Sequence, residues 1–440
     1  MSDRAYMHSV RGYFTTADGI DPDQYVIARY SIDAGSEYDL RAASIRMALV
    51  ASVGTVTPLP TEDKETREHV GPRILHPARP GAEAHGDVVV AYPLALFAGR
   101  DPLTQLMSVT MFGAEYNYVS EIRLESVDLP RRLLSSIAGP SFGVDGLRQT
   151  TEVMSRPLLA GILKPRLGVS LNTLADSVYE ALVGGADLIV DDELVVDPEG
   201  DCAFVPRVTA MVSAARRASS HTRTLKGVVV NVSARPKNTE KYAELAANIG
   251  ATGLILNAFV CGLPALQDLA EANRGLPVFA CNVGSGLLTR SATGVASSVY
   301  SRLSRLAGAD AVQTGIVAGD AYTTEAWGPS VIALDRPLGQ VKPSLPIVAG
   351  GLNIANLWRN WRSLGNNVLF AAGSGIFGFP SGARSGASSL RKILDSLSPE
   401  LSGQEAADQM LRLGQGRGSP FAVGLEAYGF DPDALAELEA

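Results

Sequence analysis

Cysteine and histidine are scarce in this 440-residue chain, and each scarcity narrows its chemistry. The three cysteines, Cys202, Cys261 and Cys281, are odd in number and far apart, with no CxxC pair and no Cys/His spacing. That pattern excludes a disulfide framework and a structural zinc site, and it suits a reducing, cytoplasmic compartment. The five histidines are His8, His69, His76, His85 and His221, and none follows an apolar run that reads as a strand. Imidazole acid–base chemistry is therefore not expected. Long apolar runs are missing too: no window approaches 18 consecutive apolar residues, so no membrane span is expected. The start, MSDRAYMHSVRGYF, has no basic stretch followed by an apolar one, so no signal peptide is expected. Charge is sparse and leans negative, with 19% charged residues and a formal net charge of −8. An acidic surface is a poor partner for nucleic acid or anionic membranes. With 46% hydrophobic residues, a well-buried globular enzyme is the expectation.

What is present is repetition. Length alone favours two domains. Residues 151–400 repeat one unit: a short apolar run, a glycine or polar break, then a segment with helical period. Expected strands begin near Leu158, Ala186, Lys226, Thr252, Leu276, Asp310, Leu345 and Asn367. Helical segments include Thr173–Leu182, Thr239–Ile249, Leu263–Ala272, Gly294–Leu306, Ile354–Leu364 and Gly386–Leu397. A doubly wound open sheet shows the same alternation. Eight units in about 240 residues, with no GxGxxG at the first turn, favour a closed (β/α)8 TIM barrel. Residues 1–150 predict a small α+β domain, with strands at Tyr25–Ser31, Val88–Pro93 and Tyr118–Leu124 and helices at Leu40–Ala51 and Pro102–Phe112. Pro58–Gly86 reads as a loop and Pro130–Leu147 as the crossover into the barrel. Residues 401–440 read as a short helical tail, with helices at Gln404–Leu413 and Pro432–Leu438.

Charged residues close the first two barrel strands. Lys164 and Arg166 follow Leu158–Leu163, and Asp191, Asp192 and Glu193 follow Ala186–Val190. Catalytic groups gather at the carboxyl ends of barrel strands because the loops there form one mouth. A lysine at such a place either shuttles a proton or binds an anion. The carboxylate run suits Mg²⁺, or else caps the following helix. Glycine turns follow at Gln313-Thr314-Gly315, Ala349-Gly350-Gly351 and Ala371-Ala372-Gly373-Ser374-Gly375. The last two close strands seven and eight, where barrels frequently hold phosphate on backbone N–H groups. Cys281, at the fifth strand end, reads as a reactive thiol or, more simply, as a small buried hydrophobe.

These segments resemble the large-subunit family of ribulose-bisphosphate carboxylase, RuBisCO, and in particular its non-carboxylating form IV branch, the RuBisCO-like proteins. RPLLAGILKPRLGVS at 156–170 is similar to the family's strand-one motif, and GGADLIVDDE at 184–193 to its metal motif. Weaker similarity runs through KGVVVNV (226–232), LPVFACN (276–282), DAVQTGIVAGD (310–320) and PIVAGGLN (346–353). SVGTV at Ser52–Val56 resembles the loop that reaches into a partner's active site. The resemblance implies a ferredoxin-like N-terminal domain and a homodimer with its active site at the interface, without a small subunit.

Departures from the family pattern shape the expected function. The lysine that carboxylases carbamylate to bind metal corresponds to Val190, so no carbamylated lysine is expected. Asp192 and Glu193 are left as the metal ligands, for Mg²⁺ completed by water or substrate oxygens. The family's mobile loop-six lysine corresponds to Asp320, its strand-five and strand-six histidines to Cys281 and Gln313, and its second phosphate-binding arginine to Asn282. Carboxylation of a bisphosphate is accordingly not expected. One phosphate site is retained in the resemblance, at Thr55, Gly350, Gly351, Ala372 and Gly373, with neutral Asn282, Gln313 and Thr314 at the substrate's far end. The expectation is enolisation, by tautomerisation or isomerisation, of a small keto or aldo monophosphate. Lys164, Arg166, Asp192 and Glu193 would be the catalytic set. Decarboxylation or acyl cleavage of a 3-oxo acid phosphate, and a non-catalytic phosphometabolite binder, stand as alternatives.

Overall fold

The computed structural model describes residues 11–61, 63–75, 84–272, 274–319, 327–416 and 418–438. By contacts the chain divides into two compact units. One comprises Met1–Ala138, Gly284–Leu306 and Pro337–Val341; the other comprises Gly139–Val283, Ala307–Arg336 and Lys342–Ala440.

The first unit is built on β1 (Tyr25–Ala34), β2 (Arg73–Ile74), β3 (His85–Pro93) and β4 (Val119–Asp128). Alternation along β1 buries Val26, Ala28, Tyr30, Ile32 and Ala34 on one face, the period-two pattern of a half-covered strand. β1 pairs antiparallel with both β3 and β4. The helix Leu40–Ser52 packs on β1 and β3, and begins where Asp39 accepts the N–H of Ala42 at 2.7 Å. Such a cap contributes about 1 kcal/mol.

The second unit holds a parallel barrel. Its strands are β5 (Leu158–Ile162), β6 (Leu188–Val190), β7 (Gly227–Asn231), β8 (Gly253–Asn257) and β9 (Val278–Cys281). β10 (Gly294–Val295) belongs to the first unit, and β11 (Ala311–Gln313), β12 (Leu345–Val348) and β13 (Leu369–Ala372) complete the barrel. Pairing of β11 with β9 closes the ring, which decides against an open doubly wound sheet. Each strand starts within two residues of its expected position. The strands read as unbroken apolar runs because parallel strands are covered on both faces. Their inward side chains, among them Ala160, Leu188, Val190, Val229, Ile255, Phe279, Cys281, Ile347 and Ala371, form one packed cluster.

Three segments differ from the sequence reading. Gly294 does not open a helix: Gly294 and Val295 pair parallel with Arg123 and Leu124 of β4, and the helix begins at Ser297. Pro58–Gly86 is not all loop, since it carries the helix Lys64–Val70 and β2; residues 76–83 lie outside the described residues. The tail has a third helix, Pro420–Ala427, between Gly403–Leu413 and Pro432–Ala436. No described helix is long and apolar enough to cross a membrane.

Candidate active site

The carboxyl end of β6 carries three carboxylates with three different tasks. Asp191 is buried and receives both Nη atoms of Arg207, from the helix Phe204–Thr222. It also accepts the N–H of Asp192 at 2.8 Å and, at 3.4 Å, that of Asn231. Burial pushes its carboxyl up, and the Arg207 charge works against that rise. Asp192 is fully buried: its Oδ1 accepts the N–H of Leu194 at 2.9 Å, and its Oδ2 accepts Lys164 Nζ, from the loop after β5. Asn231 donates through Nδ2 to the backbone oxygens of Asp192 and Val195, both at 2.9 Å, which sets the turn. Glu193 alone faces open space. Its carboxyl is raised above the ordinary glutamate value, first by burial and then by the Asp192 charge, with the Lys164 charge opposing.

Lys164 and Glu193 line one cavity of about 640 Å³ together with Ile162, Val283, Gln313, Ala349, Gly350, Gly351, Gly373 and Phe377. Gly350 and Gly351 take consecutive left-handed conformations, φ 106° and 85°, that side-chain-bearing residues rarely adopt. The turn is tied by Asn353 and Asn356, which donate through Nδ2 to Gly351 O at 3.0 and 2.8 Å. At Gly373 a Cβ would lie 3.4 Å from Lys164 Cε, an ordinary van der Waals distance, so the lysine stem runs directly over this turn. On the β9 and β11 side, Cys281 Sγ donates to Gln313 Oε1 at 3.0 Å, and Asn282 Nδ2 donates to Gln313 O at 3.2 Å. Thr314 continues the β11–β12 pairing through its N–H to Ile347 O at 3.1 Å.

Of the residues singled out from sequence, Lys164, Glu193, Gln313, Gly350, Gly351 and Gly373 share this cavity, and Asp192 sits directly behind Lys164. Ala372 is buried at the end of β13, while Asn282 and Thr314 brace strand ends rather than line the space. Arg166 is exposed. Thr55 belongs to the first unit, where its Oγ1 accepts the N–H of Thr57 at 3.1 Å. Asp320 lies outside the described residues. Sequence reading missed Arg207 and Asn231. Asn231 was detectable as a polar residue ending the run Gly227–Val230, whereas Arg207 looks like any polar residue on an amphipathic helix.

These donors do not fit the expected Mg²⁺. Val190 is an inward member of the apolar cluster beneath the cavity, Asp191 is committed to Arg207, and Asp192 is buried against the Lys164 ammonium. Glu193 is then the one carboxylate left facing the cavity, and no group of three His, Cys, Asp or Glu side chains among the described residues is arranged to hold a metal.

Comparison with known proteins matches both parts of the chain. Residues 14–133 match the family described as ribulose bisphosphate carboxylase large chain, N-terminal domain, and residues 143–416 its catalytic domain. RuBisCO-like protein 2 of Rhodopseudomonas palustris is 30% identical over 319 residues, 70% of this chain and 72% of that protein. The ribulose bisphosphate carboxylase of Archaeoglobus fulgidus is 26% identical over 408 residues, 87% of this chain and 91% of its own. Among solved structures, octameric Rubisco of Pyrococcus horikoshii with bound sulfate aligns at TM-score 0.85 and 26% identity, covering 95% of this chain and 96% of that one. Dimeric Rubisco of Hyperthermus butylicus aligns at 0.84 and 25%, covering 96% and 99%. The chain thus belongs to the ribulose bisphosphate carboxylase large-chain family, whose matched relatives include both carboxylases and carboxylase-like proteins.

Proposed function

We propose that this chain is a RuBisCO-like enzyme that enolises a small keto or aldo monophosphate and does not fix CO₂. The observation that carries the reading is the shared cavity: Lys164 and Glu193 face the same space as the glycine turns at Gly350–Gly351 and Gly373. Backbone N–H groups of those turns hold the phosphate, with buried Ala372 ending the strand beneath them. Glu193, with a carboxyl raised toward the working range of a general base, takes the proton from the carbon next to the carbonyl. The C–H electron pair moves into the new C=C bond as the carbonyl oxygen gains negative charge. Lys164, paired with Asp192, meets that oxygen with its ammonium, a preorganised charge of the kind that lowers such barriers most. A hydroxyl on the deprotonated carbon passes its proton to the enolate oxygen, and return of the carbon-bound proton from Glu193 to the former carbonyl carbon then completes an isomerisation. The sequence left Lys164 as a proton shuttle or an anion binder; its ion pair with a buried carboxylate favours the electrostatic role. Arg166 adds positive charge to the same loop. No step runs through a metal.

Carboxylation is set aside because Val190 cannot be carbamylated and the donors around it do not make a three-ligand metal site. The active form in this reading is a homodimer without a small subunit, with Thr55 of one chain serving the phosphate end of the other's site. A decarboxylase of a 3-oxo acid phosphate is the second reading. The Lys164 ammonium favours it, because loss of CO₂ leaves an enolate that needs a cation and no base. Incubation with a panel of keto, aldo and 3-oxo acid monophosphates, followed by isomer analysis and CO₂ detection, separates the two. Isomer formation without CO₂, abolished in Lys164→Met, supports enolisation; CO₂ release moves the assignment to decarboxylation. Turnover surviving in Lys164→Met would remove the lysine from either scheme.

A further inference from the structure

Cys281 and Gln313 are the last residues of β9 and β11, which pair in the order Ala311 with Phe279 and Val312 with Ala280. The next step of that register sets Gln313 beside Cys281. The sulfur already accepts the N–H of Val283 at 3.4 Å, and its own S–H is directed to Gln313 Oε1 at 3.0 Å. A carboxamide has one acceptor oxygen and one donor nitrogen, so fixing the oxygen fixes the nitrogen. Gln313 Nε2 has no hydrogen-bond partner among the described residues, and Gln313 lines the cavity. Cys281 itself is buried in the barrel interior and does not line that cavity.

We infer that Cys281 is a positioning residue that locks the Gln313 amide with its NH₂ toward the cavity, making Gln313 a neutral donor to an uncharged substrate oxygen. The substrate then carries a carbonyl or hydroxyl oxygen at this wall, and a second phosphate or a carboxylate finds only a neutral donor there. This deepens the monophosphate reading and rests on it. The lock holds only while the thiol keeps its proton. Burial, reinforced by the charge of Glu193, pushes the Cys281 thiol far above its ordinary value and so keeps that proton in place.

Two measurements test it. The first needs no ligand: the infrared S–H stretch of Cys281, isolated by subtracting the Cys281→Ala spectrum from the wild-type one. A donated S–H absorbs at lower frequency than a free one, so Gln313→Leu is expected to move the band up. An unmoved band overturns the lock. The second compares binding of dihydroxyacetone phosphate with propyl phosphate, which lacks the carbonyl and hydroxyl oxygens. Gln313→Leu and Cys281→Ala are expected to weaken the keto phosphate by about tenfold, the worth of one buried hydrogen bond, with propyl phosphate unchanged. Cys281→Ser, which restores a donor, is expected to recover most of that loss. Equal weakening of both ligands, or none, overturns the specificity role. If the wild-type protein binds neither, the monophosphate reading fails and the donor role fails with it, while the infrared band separately decides the lock.

Discussion

The two ends of the barrel use the same residue types to opposite effect. At the amino end, charge is closed off by partners. Asp187, just before β6, accepts Arg156 at 2.7 and 2.8 Å, Arg391 at 2.8 Å and the Leu159 N–H at 2.9 Å. Asp310, just before β11, accepts the N–H groups of Phe142, Gly143 and Val278 at 2.7 to 2.8 Å. Lys226, just before β7, donates to Ala186 O at 2.8 Å. At the carboxyl end, Lys164 has one carboxylate and otherwise faces the cavity, and Glu193 is left with a raised carboxyl. Full partnering serves stability, and partial partnering leaves groups available to a substrate. The contrast follows the general division of labour in barrels.

That contrast breaks most visibly at Lys164. Lys164→Met combined with Asp192→Asn, which leaves no unpaired buried charge behind the cavity, is expected to lower turnover by about 10²–10⁴-fold while the thermal midpoint stays within a few degrees, checked by paired kinetics and calorimetry. Asp187→Ala should do the reverse. It removes the buried carboxylate shared by the half-buried Arg156 and Arg391 and by the Leu159 N–H, at a cost of about 3–5 kcal/mol in denaturant unfolding. The folded fraction should keep its turnover.

Glu193→Gln sharpens the comparison, because one substitution should move the two properties in opposite directions. Wild-type turnover is expected to rise with pH through a value above the ordinary glutamate range, since the base must be ionised and its carboxyl is raised. The variant should lose that limb, with turnover down about 10²-fold or more. A carboxyl raised on folding is worth most to the fold when neutral, and that contribution is lost as pH rises through the folded value. Glu193→Gln should therefore unfold slightly later than wild type at neutral pH. Asp187 has the opposite sign. Burial alone would raise its carboxyl, but the Arg156 hydrogen bonds and the Arg391 charge outweigh it and hold it low. Its contribution is present above pH of about 4 and lost as pH falls through the depressed value, with a slope of up to about 1.4 kcal/mol per pH unit. Asp187→Asn should flatten that acid limb in unfolding experiments. The smallest effect belongs to the tail, where Ser402 and Glu405 form a capping box on the helix Gly403–Leu413. Ser402→Ala should cost about 1 kcal/mol and leave turnover untouched.

What could be read from the sequence follows from what is local. Eight buried strands announced themselves because an apolar run bounded by glycine or charge needs no partner to be recognised. Lys164, Asp192 and Glu193 stood out because a charge directly after such a run must lie at the barrel mouth. Pairings were hidden. Nothing local in the sequence shows that Asp191 is held by Arg207, 16 residues on in an amphipathic helix, so only the family resemblance set Asp191 apart from Asp192 and Glu193. The bond between Cys281 and Gln313 depends on the register of β9 against β11, which no single segment contains. β10 escaped because two residues are too few for a period, and Pro420–Ala427 because PFAVGLEA is too uniformly apolar to show a polar face.

Solvent-deuterium exchange tests the central claim most directly. Candidate keto and aldo monophosphates would be incubated in D₂O with excess chelator and followed by proton NMR, in wild type, Lys164→Met and Glu193→Gln. Enolisation driven by the chain's own groups predicts loss of the proton next to the carbonyl in the wild type, at a rate that added Mg²⁺ does not change. Both variants should abolish it. Exchange that appears only with added Mg²⁺, or that survives in both variants, would contradict the account.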